Sequence, residues 1–414
     1  MKFRLIINIK VFAFFLILPS IAAANPIAPH WAIIDSTAPA RQGFKAVYNT
    51  ERNSIVLFGG SDSTGLMPED TWEWNSFGWQ QIDTTGPPGR AGFGMCYDRA
   101  LDLVILFGGW NLDNGYLDDT WIWNGSYWIN LNIPGPAARS DFSMAYDEGN
   151  QSILLFGGGD EQTLYGDTWQ WNETGWSQLD ITGPPARIFS SMVNMPNYQV
   201  SLIFGGQAGY NGEVFGDAWI WVGSVWLELE GNNPSSRVGQ MMAFDPSWGE
   251  SVVLFGGQDA LSPDVYYDDT WEFNDWGWSL TGISQPSARS LGETVYDDSL
   301  QQVILIGGEN NSQIFQEMWA YPSFDVSCQY IPGDVNASNS FTGLDVTYSV
   351  RFFKGGAQPL YSCECPSGSG NTWFVTGDVN GSCSFSGLDV TYMVRYFKGG
   401  AAPMPCQDCL PGRR

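Results

Sequence analysis

The sequence predicts an all-β six-bladed β-propeller closed by its N-terminal strand, followed by a small α-helical domain with a duplicated calcium loop. Three observations lead to this prediction: one unit occurs six times, each unit holds three or four short β-rich runs, and one polar loop occurs twice near the C-terminus. Each unit opens with an arginine after a proline-containing turn: Arg41, Arg90, Arg139, Arg187, Arg237 and Arg289. These arginines are 48 to 52 residues apart, and turn residues separate the β-rich runs, so each unit should form one four-stranded antiparallel sheet.

A fixed order of motifs marks the strands within each unit. An apolar run ends in two glycines, as in "IVLFGG", where the second strand must end in a sharp turn. A "DTW"-type segment and a further tryptophan follow, and tryptophans on the third and fourth strands can fill the wedge between neighbouring sheets. The sixth unit lacks its final tryptophan strand, whereas Trp31 precedes the first unit at the matching distance. We therefore expect residues 31–34 to complete the sixth blade and to close the ring.

The segment 25–326 resembles kelch-repeat proteins and the central domain of galactose-oxidase-like proteins. The resemblance rests on the glycine pair, the spaced aromatic pair and the repeat length. Galactose oxidases bind copper through histidine and tyrosine, but this chain has one histidine, His30, so that chemistry is not carried over. The single histidine also excludes a Ser-His-Asp triad and multi-histidine metal sites, whereas carboxylate-pair chemistry remains possible.

Residues 1–24 predict a secretory signal peptide. Lys2, Arg4 and Lys10 precede an apolar run that is short for a membrane span and ends in small residues, so cleavage is expected near Ala24. An uncleaved anchor is the alternative. We expect a secreted or cell-surface protein whose mature chain has no membrane span. Its formal net charge of −26 disfavours nucleic acid and anionic lipid as partners.

The propeller has two candidate ligand-binding features. One arginine per blade, arranged around the axis, could bind acidic ligands at the channel mouth, because guanidinium groups bind carboxylate bidentately. The alternative is that each arginine pairs with the aspartate of a "DTW" segment, as suits a residue that serves a repeated fold. The loops after the glycine pairs vary, and their aromatic residues could stack on sugar rings: Trp110, Tyr116, Tyr165, Tyr210, Tyr266 and Tyr267. Burial between blades, as for Tyr116 or Phe315, is the alternative.

Two loops near the C-terminus carry oxygen-bearing residues at the spacing of an EF-hand-type calcium loop. Positions 1, 3, 5, 7, 9 and 12 are Asp334, Asn336, Ser338, Ser340, Thr342 and Asp345 in the first loop, and Asp378, Asn380, Ser382, Ser384, Ser386 and Asp389 in the second. Calcium prefers six to eight oxygen ligands, so two Ca²⁺ sites are predicted. Apolar residues at helical spacing follow each loop and end at a glycine pair. A polar turn that caps two helices without metal is the alternative.

The segment 327–414 resembles a type I dockerin, whose two half-sites carry calcium loops that end in Asp. The resemblance implies a cohesin-like or cell-surface protein as partner. Positions 10 and 11, which help dockerins to select a cohesin, are Gly-Leu in both loops and offer no hydroxyl pair. Six cysteines lie in this segment: Cys328, Cys363, Cys365, Cys383, Cys406 and Cys409. Three disulfides are predicted, and a Cys₄ zinc site is the alternative.

These features favour an exported, non-catalytic binding protein. Its propeller would bind a glycan or a protein, and its calcium-dependent tail would attach it to a partner. No catalytic residue is assigned. The first alternative is a polysaccharide-active hydrolase or lyase, because dockerins usually accompany such enzymes. It needs two acids across the ring mouth, and the candidates are Asp113, Asp160, Glu161, Glu213 and Asp264. The second alternative is a structural surface protein.

Overall fold

The computed structural model describes residues 30–323, except 76, 248, 249, 263, 275, 276 and 284, together with 363–364 and 372–373. The chain divides into two units, Pro29–Ser323 and a second unit of Met1–Ala28 with Phe324–Arg414. The predicted signal peptide, both predicted calcium loops and the predicted helices after them lie outside the described residues.

Six four-stranded antiparallel sheets form a six-bladed propeller in Pro29–Ser323. The strands of blades 6 (in part), 1, 2 and 3 are, in chain order, β1 (His30–Asp35); β2 (Lys45–Asn49), β3 (Ser54–Phe58), β4 (Thr71–Asn75) and β5 (Gly78–Asp83); β6 (Gly94–Asp98), β7 (Leu103–Asn111), β8 (Gly115–Trp123) and β9 (Trp128–Asn130); β10 (Ser143–Asp147), β11 (Ser152–Phe156), β12 (Thr168–Asn172) and β13 (Gly175–Leu179).

The remaining blades follow the same order and end next to the first strand of the chain. Their strands are β14 (Ser191–Met195), β15 (Val200–Phe204), β16 (Ala218–Trp221) and β17 (Trp226–Leu229) in blade 4; β18 (Met241–Asp245), β19 (Ser251–Phe255), β20 (Thr270–Asn274) and β21 (Gly277–Leu280) in blade 5; β22 (Glu293–Asp297), β23 (Gln302–Ile306) and β26 (Met318–Ser323) in blade 6, whose loop holds the short pair β24 (Glu309–Asn310) and β25 (Gln313–Ile314). A 3₁₀ turn, Pro196–Tyr198, joins β14 to β15.

The N-terminal strand closes the ring, as the sequence predicts. Blade 6 has the strand order β1-β26-β23-β22, with Ala32 opposite Ala320. Trp31 is buried against the rings of Phe255 and Tyr321, with centroid distances of 5.5 and 5.0 Å. Pairing the first strand with the last covers an edge that would otherwise offer unpaired backbone groups.

Tryptophans fill the wedges between neighbouring blades, as predicted, and also bond across them. The indole Nε1 of Trp128 donates to Thr71 Oγ1 of the preceding blade at 2.8 Å, and Trp226 donates to Thr168 Oγ1 at 3.0 Å. The same bond joins Trp176 to Thr120 and Trp31 to Thr270. The threonine belongs to the "DTW" segment, so one repeated residue satisfies the buried indole of the next repeat.

Two blade junctions lack this bond because the threonine is replaced. Met318 takes its place before blade 1, and the Trp79 indole meets the Met318 sulfur at 3.1 Å. Ala218 takes its place before blade 5, and Trp278 Nε1 is buried without a hydrogen-bond partner. Trp278 still packs on Phe204 at a centroid distance of 5.4 Å. A buried donor without a partner costs about 1–3 kcal/mol, so this junction is weaker than its equivalents.

The predicted glycine pair ends the second strand in five blades and lies within β7 in blade 2, at positions where no side chain fits. Gly60 has φ +81°, and a Cβ there would lie 2.7 Å from Phe44 Cβ and 2.8 Å from the Gln42 carbonyl oxygen. The glycine pair thus lets the segment before the first strand pass close to the end of the second strand. The six innermost strands, β2, β6, β10, β14, β18 and β22, surround a central channel of about 430 Å³. Cys96, on β6, is a buried free thiol.

In the second unit, the described residues form one antiparallel pair, β27 (Cys363–Glu364) with β28 (Thr372–Trp373). Across the described part of the chain, no helix has the length and apolar character needed to cross a bilayer.

Candidate functional site

The six arginines lie under the upper face of the propeller, which we define as the face that carries the loops after the glycine pairs. The Arg187 side chain is fully buried, and its Nη1 and Nη2 donate to the two Asp217 carboxylate oxygens at 2.7 and 2.8 Å. Nη1 also donates to the Gly205 carbonyl and Nε to the Pro185 carbonyl. The equivalent pairs are Arg41–Asp70, Arg90–Asp119, Arg139–Asp167, Arg237–Asp269 and Arg289–Glu317. Each acid belongs to the same repeat as its arginine.

Aromatic residues from the predicted loops complete several of these clusters. The guanidinium carbon of Arg187 lies 4.2 Å from the centroid of the Phe215 ring, and that of Arg289 lies 3.6 Å from Phe315. Tyr165 stacks in this way on Arg139, and Tyr267 on Arg237. Burial alone would raise the pKa of Asp217, but the hydrogen bonds and charge of Arg187 hold it below its ordinary value.

The arginines therefore pair with acids of their own repeats, which is the second of the two alternatives that the sequence leaves open. All six side chains are buried, and their donors are directed at acids and carbonyls of their own blades. Their guanidinium groups are therefore engaged within the blades and are not free to bind a ligand. The pair in blade 6 is less complete, because the contact from Arg289 Nη1 to the longer Glu317 side chain is 3.5 Å and Arg289 Nη2 has no partner. Burial lowers the pKa of Arg289 to about 10, against the opposing effect of Glu317.

A closed ring of backbone hydrogen bonds forms the upper mouth of the channel. It links six residues, each two positions after a repeat arginine, and we call them the mouth ring: Gly43, Gly92, Asp141, Phe189, Gly239 and Leu291. The amide N–H of each member donates to the carbonyl of the member in the preceding blade, and Gly43 donates to Leu291, at distances of 2.7 to 3.3 Å. All six have φ between 54° and 64°. The ring binds the blades to each other at the axis.

Three members of the mouth ring keep a side chain in a conformation that favours glycine. The φ values are 59° for Asp141, 56° for Phe189 and 54° for Leu291. Bulky residues such as Phe189 and Leu291 rarely adopt this conformation, which costs about 1–3 kcal/mol for each of them, whereas aspartate adopts it more readily. Such costs tend to persist at functional sites. In the sequence the difference is visible as "RQG", "RAG" and "RVG" against "RSD", "RIF" and "RSL".

Asp141 forms the floor of a recess in the mouth. Its Oδ2 accepts hydrogen bonds from Ser140 Oγ at 2.7 Å and from Tyr210 Oη at 3.2 Å. Tyr210 also interacts with the Tyr116 hydroxyl, and its ring meets Phe189 edge to face at a centroid distance of 5.9 Å. Burial raises the pKa of Asp141 to about 6, despite the opposing hydrogen bonds of Ser140 and Tyr210. We call these five residues the Asp141 recess.

The walls of the recess come from the blades on either side of Asp141. In blade 2, β7 and β8 extend as a long hairpin in which Trp110 pairs with Tyr116. Both are half-buried, and Leu112 at the hairpin tip is 71% exposed. Tyr210 comes from the blade 4 loop and is 58% exposed. Tyr116 thus belongs to the recess, and Trp110 lies opposite it on the neighbouring strand of the hairpin.

A partly buried ion pair lies deeper in the channel. Lys45 Nζ is 2.7 Å from Glu293 Oε1, and both are the first residues of innermost strands. Burial raises the pKa of Glu293, and the charge of Lys45 partly offsets this. Because Lys45 and Glu293 neutralise each other, Asp141 carries the uncompensated charge of the mouth ring.

The five acids proposed for a hydrolase are spread over the loops. Asp113, Glu161, Glu213 and Asp264 are exposed. Asp160 accepts hydrogen bonds from the backbone of its own loop and from Tyr165. The five come from the loops of four different blades: Asp113 from blade 2, Asp160 and Glu161 from blade 3, Glu213 from blade 4 and Asp264 from blade 5. Sequence reasoning missed Asp141, because its position is defined by the ring and not by its own loop.

The predicted metal ligands cannot be placed in this geometry. Asp334 to Asp345 and Asp378 to Asp389 lie outside the described residues. Within the part of the chain that the structure does describe, no group of three His, Cys, Asp or Glu side chains is arranged to hold a metal ion.

Comparison with known proteins agrees with the fold. Residues 69–222 match the family described as "KLHDC2/KLHL20/DRC7 Kelch-repeats domain". Among solved structures, one titled "Structure of YjhT" is similar, with a TM-score of 0.57 and 12% sequence identity over 70% of this chain and 97% of that chain. No curated protein matches the sequence. The six-bladed β-propeller is confirmed, and the match supports the predicted kelch repeats over residues 69–222.

Proposed function

We propose that this chain is an exported, non-catalytic binding protein whose propeller takes its ligand, a glycan or a protein, at the upper mouth. One observation carries this proposal: Asp141, Phe189 and Leu291 keep their side chains at mouth-ring positions where glycine would be free of strain. Glycine stands at the other three positions, so the fold does not need these side chains. A ligand at the mouth accounts for retaining them.

The variable loops support the same location. Tyr116 and Tyr210 reach the mouth from two different blades and meet over Asp141. Loops on a rigid scaffold commonly carry binding specificity, and the ring of hydrogen bonds supplies that rigidity. The recess is therefore shaped by side chains that differ between repeats, on a ring of backbone hydrogen bonds that is the same in every repeat.

The tail supplies the second half of the proposal. Two loops with oxygen-bearing residues at all six ligand positions support calcium binding, and the dockerin resemblance supports attachment to a cohesin-like or cell-surface partner. The predicted signal peptide supports export. The glycan-active hydrolase and the structural surface protein remain alternatives.

Mouth binding is tested with the full-length protein on arrayed glycans and peptides. The wild type is compared with Phe189→Gly/Leu291→Gly, which clears the mouth, and with Phe77→Ser, which changes an exposed residue of the β4–β5 turn. Ligands that bind the wild type and Phe77→Ser but not the mouth variant support the proposal. Equal binding by all three proteins would move the site away from the mouth.

Calcium binding is tested by titrating the same full-length protein in a calorimeter, with circular dichroism recorded in parallel. Two binding events with a gain of helix are expected in the wild type. Asp334→Ala/Asp378→Ala should lose both, because each substitution removes the carboxylate at the first position of its loop. If the variant binds as the wild type does, the calcium loops are not where the metal binds.

A further inference from the structure

We propose that the Asp141 recess binds an organic ammonium group, a protonated primary amine carried by the ligand. The inference rests on the proposed function, since it names the chemistry of a ligand at the same mouth. It follows from three features: the unpaired oxygen of Asp141, the aromatic rings above it, and the charge of the surrounding channel.

The Asp141 carboxylate is only half satisfied. Both of its hydrogen-bond donors, Ser140 Oγ and Tyr210 Oη, are directed at Oδ2. Among the residues that the structure describes, no donor reaches Oδ1, and no lysine or arginine lies within ion-pair distance of either oxygen. An ionised carboxylate has about four acceptor positions, and it is costly to desolvate without a partner. A ligand that brings its own cation and N–H donors would complete this site.

The rings around Asp141 suit a cation as well. Phe189, Tyr210 and Tyr116 border the recess, and Tyr210 is 58% exposed to solvent. Aromatic faces attract ammonium groups within about 6 Å of the ring centroid. A carboxylate at the base and aromatic rings at the sides would each favour an ammonium group over a neutral hydroxyl.

The charge of the channel points the same way. Lys45, the cation whose charge acts on Asp141, is 2.7 Å from Glu293 and is therefore already paired. The six repeat arginines are buried against their acids, so they offer no guanidinium to an anionic ligand at the mouth. The formal net charge of −26 also attracts cations to the protein surface. An anion would meet an uncompensated carboxylate, whereas an ammonium group would neutralise it.

The mouth ring makes room for this carboxylate next to a glycine. A Cβ on Gly92 would lie 2.4 Å from Asp141 Oδ1 and 3.2 Å from Ser140 Cβ. The open oxygen therefore occupies space that glycine alone leaves free. A ligand nitrogen can approach it from the channel, because both residues line the channel wall.

The test uses the full-length protein at pH 7.5 and two pairs of probes, with binding followed by ligand-observed NMR and calorimetry. Glucosamine is compared with N-acetylglucosamine, and Nα-acetyl-lysine amide with Nα-acetyl-norleucine amide. In each pair the second probe lacks the ammonium group. We expect at least one ammonium probe to bind about tenfold or more tightly than its partner, as one charge-assisted contact allows. The preferred pair tells whether the amine comes from an amino sugar or from a lysine side chain.

Two substitutions make the assignment specific. Asp141→Asn keeps the shape and removes the charge, and it should abolish the preference for the ammonium probe. Glu161→Gln, an exposed acid on the neighbouring loop, is the matched control and should leave the preference unchanged. Asp141→Gly, the residue of blades 1, 2 and 5 at this position, should also lose binding without lowering the melting temperature, so the loss would not reflect unfolding.

Several outcomes would overturn the proposal. They are binding of neither ammonium probe, equal binding within both pairs, and an unchanged preference in Asp141→Asn. These results are separable from failure of the proposed function. An arrayed ligand that is lost in Phe189→Gly/Leu291→Gly but retained in Asp141→Asn would keep the mouth as the site and reject the ammonium group.

Discussion

The arginine clusters and the mouth ring are two sets of six residues, two positions apart in the chain, and they tolerate change very differently. All six repeats keep the arginine, and five pair it with an aspartate of the same blade. In the mouth ring three repeats have glycine, and three have Asp141, Phe189 and Leu291 at positive φ. The comparison separates two roles: the repeated arginines bind the loops of their own blades, and the residues that replace glycine in the mouth ring are the ones we propose for binding.

Among the proposed substitutions, Arg187→Ala should lower the stability of the propeller most. The substitution leaves Asp217 half-buried and deprived of its cation, so the free energy of unfolding should fall by about 3–5 kcal/mol. Urea unfolding followed by tryptophan fluorescence measures this. Arg99→Ala is the control, because Arg99 and Glu148 form an exposed pair at 3.8 Å whose loss should cost less than about 1 kcal/mol. Similar losses in the two variants would contradict a structural role for the repeat arginines.

The pH dependence of the stability of Asp141→Asn tests the cost of the charge that Asp141 places in the mouth ring. Burial raises the pKa of Asp141 to about 6, so the folded protein binds this proton more tightly than the unfolded chain does. The ionised group therefore lowers stability progressively as the pH rises from about 4 to about 6, and the penalty persists above that range. We expect Asp141→Asn to be more stable than the wild type by about 1–2 kcal/mol at pH 7.5, after allowance for solvent screening at the open mouth.

The same difference should disappear near pH 4, where Asp141 is protonated in the folded protein. Thermal unfolding of both proteins at the two pH values measures it. The groups that face Asp141 are Ser140, Tyr210 and the Lys45–Glu293 pair, and Glu161→Gln provides a charge-matched control away from them. An equal gain at both pH values would mean that the carboxylate charge is not the source of the cost.

In blade 6 the arginine–acid pair is incomplete, and one substitution should complete it. Glu317 stands where five blades have aspartate, and its extra methylene leaves Arg289 Nη2 and Trp319 Nε1 buried without partners. In blade 4 the matching Trp219 Nε1 donates to Asp217 at 2.7 Å. Glu317→Asp should supply both missing acceptors and raise the free energy of unfolding by about 1–2 kcal/mol. Glu317→Gln, which keeps the length and removes the charge, should destabilise. A loss of stability in Glu317→Asp would show that this blade is built around the longer acid.

The sequence was sufficient for the features that repeat. The blade count, the closure through Trp31 and the glycine turns follow from residues that occupy the same place in every unit, so spacing alone locates them. The repeat spacing also predicts two alternatives for the arginines: they bind a ligand at the channel mouth, or each pairs with a "DTW" aspartate. Which alternative holds depends on burial, and sequence spacing does not report burial.

The mouth was not predictable in the same way. Each bond of the ring joins residues in neighbouring repeats, and Tyr210 meets Asp141 across 69 positions of the chain. The change from "RVG" to "RSD" is visible in the sequence, but its meaning depends on a positive φ that only the closed ring imposes. The five acids that the sequence suggests for catalysis lie on loops, whereas Asp141, the acid at the mouth, precedes an innermost strand.

The smallest expected effect tests whether a repeated residue can be restored where it is missing. Ala218 replaces the threonine that accepts the indole hydrogen bond of the next blade, and Trp278 Nε1 is left unpaired. Ala218→Thr should restore the 2.8 to 3.0 Å bond seen at four other junctions and stabilise the propeller by about 1 kcal/mol. Ala218→Val is the control, because it adds nearly the same volume to this buried site without a hydroxyl group.

Adding Trp278→Phe to both variants closes the test as a double-mutant cycle in urea unfolding. The advantage of threonine over valine should be present with tryptophan at position 278 and absent with phenylalanine, since only the indole can donate the bond. If threonine and valine are equally stable with tryptophan present, the bond does not form at this junction. Blade 5 would then have diverged from the repeat in its packing as well as in one residue.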